Sequence, residues 1–479
     1  MNRPLIHLCL AATLMASTSA IAAPDVSSRV EAVTSGLRPA VTIKGAPTKR
    51  ALADEMAALK VPGVSIAVIH DGKIDWARGF GVTRTGGAPV TADTLFQAGS
   101  VSKPVAAVAA LRLVQEGKLS LDGDVNATLK SWTLPPSAFT ATKPVTLRAL
   151  LSHTAGTTVH GFAGYAAGEA VPTLPQVLSG AAPANSKPVV VDQSVGEAYR
   201  YSGGGYSIAQ QMMIDATGQS FPALLRERVF KPIGMAHSTE DQPLDAARLA
   251  KVAWPHDAQG APIPGGPHTY PEMAAAGLWT TAEDLARFVI DLQRSAQGRV
   301  DGVLSPEMTK TMLTPVKGGY GLGLNIGGAG ARKYFAHDGS NAGYKATLVG
   351  YPGGDGVVVM TNGDQGYQLG EEIVRAVAAE YGWPDYRPVE REVAKVPIGE
   401  QARYAGTFTI KGPGDFEIRR DGDRMVAEIW KGVVDPLYPA SAREFFILSQ
   451  DLRLVFSDPD HGTVTLGSFS APFERKAKP

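Results

Sequence analysis

The chain has 479 residues, with 46 Lys+Arg against 46 Asp+Glu and a formal net charge of zero. That length suits two or three structural units, or one large unit with an appendage, and a 44% hydrophobic share supplies a sizeable core. The even charge argues against nucleic-acid partners and a polybasic membrane patch, and the single cysteine, Cys9, excludes a disulfide framework and a cysteine-ligated metal site.

Met1-Asn2-Arg3 is followed by an apolar run from Leu5 to about Met15 and then by small residues up to Ala22. Residues 1–22 read as a secretory signal peptide cleaved after Ala22, because cleavage after Ala23 would leave Pro24 at the new N-terminus. The run is too short to cross a bilayer as a stable helix. No later stretch reaches transmembrane length, so the expectation is a periplasmic or secreted protein.

Residues 23–49 read as a leader that turns helical towards its end, and 50–385 as the main body. Val64–Ile69 is a buried-strand pattern, Asp71-Gly72 a hairpin turn and Lys73–Phe80 the partner strand. From Ser100 to Gly117 the apolar positions recur at helical spacing, with Pro104 tolerated in the first turn. Residues 157–198, rich in Gly, Pro and Ala, read as a long surface excursion. Tyr206–Thr217 is a second helix pattern, and Thr280-Thr281-Ala282-Glu283-Asp284 opens a third with capping-box chemistry. Strands are expected at 319–326, 345–351 and 356–361. A linker at 386–400 leads to a C-terminal β-rich accessory domain, 401–479. Its expected strands are Ala405–Ile410, Phe416–Arg420, Met425–Trp430, Phe445–Leu448, Leu452–Phe456 and Thr463–Phe469, arranged as a small barrel or sandwich.

Three short motifs carry chemistry. In Ser100-Val101-Ser102-Lys103, residues three apart share a helix face, so the Ser100 hydroxyl lies beside the Lys103 amine at a helix N-terminus. A serine nucleophile needs such a neighbour, because a free hydroxyl is weak at neutral pH. Alone, the motif also describes a capping serine on a solvated helix. Tyr201-Ser202-Gly203 puts a tyrosine on a glycine-rich loop ahead of a helix, where cationic neighbours would ease loss of the phenol proton. Alone, it is an ordinary half-buried tyrosine. His337-Asp338-Gly339-Ser340, just ahead of the strand expected near Tyr344, combines a hydrogen-bonding side chain with a glycine that permits close approach. Alone, it is a turn.

Taken in this order, the three resemble the serine β-lactamase and penicillin-binding-protein superfamily, with its S-x-x-K, central-loop and K-T-G motifs. The resemblance is to the class C β-lactamase-like branch, which includes DD-carboxypeptidases, D-aminopeptidases and carboxylesterases. Phe96-Gln97-Ala98-Gly99, Leu150–Gly156 and Thr281–Ala286 support it, over roughly residues 50–385. It implies an α/β (α+β) fold: an antiparallel sheet flanked by helices, with a helical subdomain. It also implies Ser100 as acylated nucleophile, with Lys103 and Tyr201 sharing the proton transfers and the identity of the base left open. The backbone N–H groups of Ser100 and Ser340 would form the oxyanion hole, Gly339 would admit the substrate, and His337 would bind a substrate carboxylate or support Tyr201. No metal or organic cofactor is implied.

Two departures bear on substrate. Gly203 stands where the family usually has Asn, and His337 stands where it usually has Lys. Both weaken a β-lactamase reading and favour an amidase acting beside a D-amino acid, as in a peptidoglycan-derived peptide. A β-lactamase, a carboxylesterase and a non-catalytic penicillin-binding sensor are the alternatives. Gly205-Tyr206-Ser207-Ile208-Ala209 lacks the last glycine of a nucleophile elbow. His153 and His160 read as structural, and Glu197 and Asp338 as solvated or structural.

Overall fold

The computed structural model describes residues 25–411, 414–430, 432–467 and 469–476; the expected signal peptide lies outside the described residues. A helix at Val26–Thr34 and a short strand, β1 (Val41–Ile43), lead into the hairpin of β2 (Gly63–His70) and β3 (Lys73–Gly81). Asp71 and Gly72 turn it with φ of 50° and 70°, the paired left-handed geometry of a two-residue hairpin. After β4 (Phe96–Gln97) and β5 (Trp279–Thr280), which pair with each other, come β6 (Asn325–Gly327), β7 (Tyr334–Asn341), β8 (Tyr344–Gly350) and β9 (Gly356–Thr361). The main sheet has the antiparallel order β3-β2-β9-β8-β7-β6.

The period of two decides what each face meets. Val64, Ile66 and Val68 of β2, with Val357 and Val359 of β9, pack on the Val26–Thr34 and Gly366–Glu380 helices through Val30, Val33, Leu369, Ile373 and Val377. Ala67, Ile69, Val358 and Met360 face the other way, onto Leu285, Phe288 and Val289 of the Ala282–Ala296 helix. That second core continues into a helical region holding Ser102–Gln115 and Gly203–Thr217. The mixed α/β fold is the one expected.

β10 (Val389–Arg391) pairs in parallel with β1. The C-terminal unit then closes as an eight-stranded antiparallel barrel: β11 (Gly406–Ile410), β12 (Gly414–Asp421), β13 (Arg424–Trp430), β14 (Val433–Pro439), β15 (Glu444–Phe446), β16 (Leu452–Phe456), β17 (His461–Leu466) and β18 (Phe469–Arg475). Phe408, Phe416, Phe456 and Phe473 meet inside it at ring separations of 5.0–5.6 Å.

Several boundaries differ from expectation. His337–Ser340 does not precede a strand as a turn; it lies within β7, whose Asp, Gly and Ser have poor strand propensity and are held by pairing with β8. Of 319–326 only the end is strand. β14 escaped notice because Asp435 and Pro436 read as breakers, yet Pro436 pairs opposite Val426 beside a bulge. The stretch 463–469 is two strands, divided at Gly467 with φ of 56°. Capping at the third helix is half of a box: the Thr281 hydroxyl accepts from Asp284 N–H, while the Asp284 carboxylate turns to His237 N–H and Ser238.

Candidate active site

Ser100 lies in a single turn, Gly99–Val101, that runs into the Ser102–Gln115 helix. Gly99 has φ of 52°, a conformation that side chains disfavour. The Ser102 hydroxyl donates to Gly99 O at 2.6 Å and accepts from Leu278 N–H at 3.0 Å, clamping the turn. Val105, Val108 and Leu111 are wholly buried among alanines, so the helix is enclosed on every side. Pro104 falls in the first turn, where its missing N–H costs no helical bond.

Lys103 is 1% exposed. Its Nζ donates to Ser100 Oγ at 2.9 Å and to Ala275 O at 2.8 Å. Ala275 belongs to the Met273–Gly277 turn, which Gln210 braces by donating to Pro271 O and accepting from Ala274 N–H. Burial pulls the Lys103 ammonium down from 10.5 to about 7, because an apolar site disfavours its charge. Near neutrality a large fraction is therefore free amine, with a lone pair beside Ser100.

Tyr201 follows the loop ahead of the Gly203–Thr217 helix. Lys103 Nζ lies 4.9 Å from its ring centroid, and its hydroxyl interacts with Ser100. The expected easing of its proton is not what the site provides. Burial raises the phenol well above its usual value, and Ser100 only partly opposes this. Tyr201 is a neutral phenol at pH 7.

A cage of rings holds it. His153 packs at a tilt against Tyr201, 4.2 Å between ring centres, and lies 4.8 Å from Tyr320. Its Nδ1 accepts from Ser202 N–H, and burial keeps the ring uncharged. His160 flanks Tyr201 at 5.0 Å. Tyr320, His153 and the Ala275 carbonyl were not assigned to the site by sequence. Only the alanine run before Gly277 hinted at close packing, and nothing local marked Tyr320.

The third motif lies along β7. β6 pairs only with Tyr334–Ala336, so the edge of His337–Asn341 faces the Ser100 turn. A Cβ on Gly99 would lie 2.5 Å from Ser340 N, and one on Gly339 would overlap the Ala98 carbonyl oxygen. The two glycines thus let β7 and the Ser100 turn approach each other closely. Gly339→Ala is expected to push β7 away from the turn. It should lower kcat/KM by about a hundredfold with a smaller loss of thermal stability; steady-state kinetics beside a melting curve check this.

His337 is buried, and its Nδ1 lies 2.6 Å from Asp338 O. A carbonyl can only accept, so Nδ1 carries the proton and Nε2 accepts from Tyr320 Oη at 3.0 Å. Burial and nearby Lys103 push the imidazole down to about 3. His337 is neutral with both nitrogens engaged, so it is a fixed hydrogen-bonding group and not a cation for a substrate carboxylate.

These groups converge on a cavity of about 460 Å³ lined by Ser100, Lys103, Tyr201, His337 and Ser340, with Tyr367 on its far wall. Gly203 is absent from its lining. A side chain there would meet Phe162 at 3.0 Å, and Gly161 and Phe162 make that wall instead. Ser207 is buried inside a helix, bonded to Gly203 O. Glu197 is exposed, whereas Asp338 lines the cavity. Among the described residues no group of three or more His, Cys, Asp or Glu could hold a metal ion.

A serine beside a buried lysine and a tyrosine, under the edge of an antiparallel sheet, defines a serine hydrolase of the penicillin-binding type. Residues 48–381 match the Beta-lactamase family, and the chain belongs to it. The chain is 28% identical to "Penicillin-binding protein 4" of Amycolatopsis lactamdurans over 377 residues, 74% of this chain and 94% of that one. Its fold is similar to the octameric penicillin-binding protein homologue from Pyrococcus abyssi (TM-score 0.59, 24% identity, 88% of this chain and 98% of that one). It is also similar to the D-alanine carboxypeptidase AmpC from Burkholderia cenocepacia (TM-score 0.54, 22% identity, 73% and 99%). Among the described residues no helix is long and apolar enough to cross a membrane.

Proposed function

We propose that the protein is an exported amidase that cleaves an amide bond beside a D-amino acid through an acyl-enzyme on Ser100. The observation that carries this reading is the 2.9 Å contact between Lys103 Nζ and Ser100 Oγ, made by an amine held at about 7. The free amine of Lys103 takes the Ser100 proton as Oγ attacks the carbonyl carbon. The oxyanion is met by the N–H groups of Ser100 and Ser340. Tyr201, a neutral phenol, passes a proton to the leaving nitrogen as the C–N bond breaks and is reprotonated from Lys103. Water, deprotonated by the same pair, then releases the acid and restores the Ser100 hydroxyl.

The site supports one choice within this class. Lys103 is the sole Lys or Arg among the described residues lining the cavity, and His337 is neutral. A free terminal carboxylate would find no fixed cation, which favours an aminopeptidase-like substrate over a carboxypeptidase-like one. The same lack leaves an ester substrate as a second reading. A panel of D-alanine p-nitroanilide, N-acetyl-D-alanyl-D-alanine and p-nitrophenyl acetate distinguishes them. The expected order of kcat/KM places the anilide above the dipeptide, and dipeptide hydrolysis as the fastest of the three would overturn the choice. Export rests on residues 1–22 and is checked by N-terminal sequencing of the secreted or periplasmic protein, which should begin at Ala23.

His337→Asn should lower kcat/KM by about tenfold while leaving the shape of its pH profile unchanged, because the ring does not titrate near neutrality. A changed profile in this variant would restore a cationic role.

A further inference from the structure

A second cavity, of about 260 Å³, adjoins the first. The start of the Gly366–Glu380 helix contributes Tyr367 and Glu371, with Asp364 just ahead of it; the barrel contributes Trp430, Asp435 and Gln450. Tyr367 lines both cavities, and Ser340 on the β7 edge lines the first with it. A group bound past Tyr367 is therefore one side chain away from the reacting centre.

The tip of the barrel wall comes near the catalytic unit. A Cβ on Gly432, between β13 and β14, would lie 4.0 Å from Ala258, and the Ala258 carbonyl accepts from Gln365 Nε2 at 2.8 Å. Trp430 Nε1 donates to Gln450 Oε1 at 3.2 Å, leaving the indole 42% exposed.

The lining has one sign of charge. Asp364, Glu371 and Asp435 contribute carboxylates, and no Lys or Arg is among the described residues that line it. Asp364 is answered by Lys345 at 2.7 Å and Glu371 by Arg375 at 2.6 Å. Asp435 is not answered. It is 6% exposed, burial raises its carboxyl above the usual range with Ser449 partly opposing this, and it forms no ion pair with any described residue. A nine-tenths buried carboxyl without a counterion is costly, and an open indole face beside it is what a cation seeks.

We propose that this cavity is a substrate subsite that takes a cationic amino group, seated between the Trp430 ring and the Asp435 carboxylate. The barrel thereby sets specificity for the chemistry performed at Ser100, on whose acyl-transfer role this inference rests. An amine there would neutralise Asp435 and would be carried on a short chain that runs past Tyr367.

The test uses the full chain and two matched substrate pairs. One pair, p-nitrophenyl hexanoate and p-nitrophenyl 6-aminohexanoate, carries the ammonium on the acyl side. The other, the hexyl and 6-aminohexyl esters of N-acetyl-D-alanine, carries it on the leaving group. In one pair the wild type is expected to prefer the amine by about tenfold or more in kcat/KM, the size of one desolvated cation contact. That ratio should fall to near one in Asp435→Asn and Trp430→Ala and be largely kept in Trp430→Phe, with melting temperatures confirming that each variant is folded. Equal rates within both wild-type pairs, or a preference that survives Asp435→Asn, would overturn the subsite and leave acyl transfer standing. Hydrolysis of no ester at all would overturn acyl transfer, and the subsite with it.

Discussion

Replacing Ser100 with Ala is expected to cut turnover by about ten-thousand-fold or more while leaving the melting temperature within a few degrees of wild type. The magnitude follows from losing the atom that forms the covalent bond, which binding and oxyanion stabilisation cannot replace. The fold should tolerate the change. The turn is held by the Ser102 hydroxyl, by Gly99 and by the buried helix behind it, none of which needs the Ser100 Oγ. The measurement is kcat/KM on an activated ester, with a thermal melt of both proteins. Activity within tenfold of wild type would remove Ser100 from the chemistry.

Lys103 carries the second large effect, and its sign differs between activity and stability. Lys103→Met should lower kcat/KM by about a thousandfold or more, because among the described residues no other Lys lines the cavity with Ser100. Lys103→Arg should fare no better, since a guanidinium cannot give up its proton. In the wild type the catalytic form is the free amine, so kcat/KM should rise with pH through about 7 and fall away on the acid side. The effect of the substitution on stability is opposite. A shift from 10.5 to about 7 sets on the order of 5 kcal/mol against the charged amine. The folded state binds fewer protons than the unfolded chain between those values. Stability should therefore rise with pH across that window and be lowest, on this account, below pH 7. Methionine fills similar space without that cost, so Lys103→Met should melt higher than wild type at pH 7 while being inactive. A lower melting temperature would mean that the hydrogen bond to Ala275 outweighs the burial of the amine.

Much of this site is legible in the sequence because its parts are local. Ser100 and Lys103 are one helical turn apart, and Asp71-Gly72 or the alternation in β2 needs only its neighbours to be interpreted. What escaped depends on partners far along the chain. His337–Ser340 looks like a turn until β8 supplies its hydrogen bonds, and β14 looks broken until the bulge within Ala427–Trp430 of β13 accommodates it. The helix expected from Tyr206 starts at Gly203, because the Ser202 hydroxyl caps it and the glycines fit closely against Thr158 and Phe162.

Charge states were the least legible feature. An isolated Tyr201 near cations suggests a base, and an isolated His337 suggests a switch. Burial reverses both, holding one as a phenol and the other as a neutral imidazole bound to Tyr320. The base left open between Lys103 and Tyr201 thus falls to Lys103 in this account. The barrel's place beside the cleft was equally invisible, because Tyr367 and Asp435 are separated by a linker and three strands before the fold brings them to one cavity.

The covalent intermediate is the centre of the account, and mass spectrometry addresses it directly. Wild type and Ser100→Ala are each mixed with benzylpenicillin and with a p-nitrophenyl ester, quenched over a time course, and examined as intact protein and as peptides. The account predicts an acyl adduct on the peptide containing Ser100 in the wild type and none in the variant. Ester turnover by wild type with no adduct at any quench time, or an adduct of equal yield in Ser100→Ala, would contradict it.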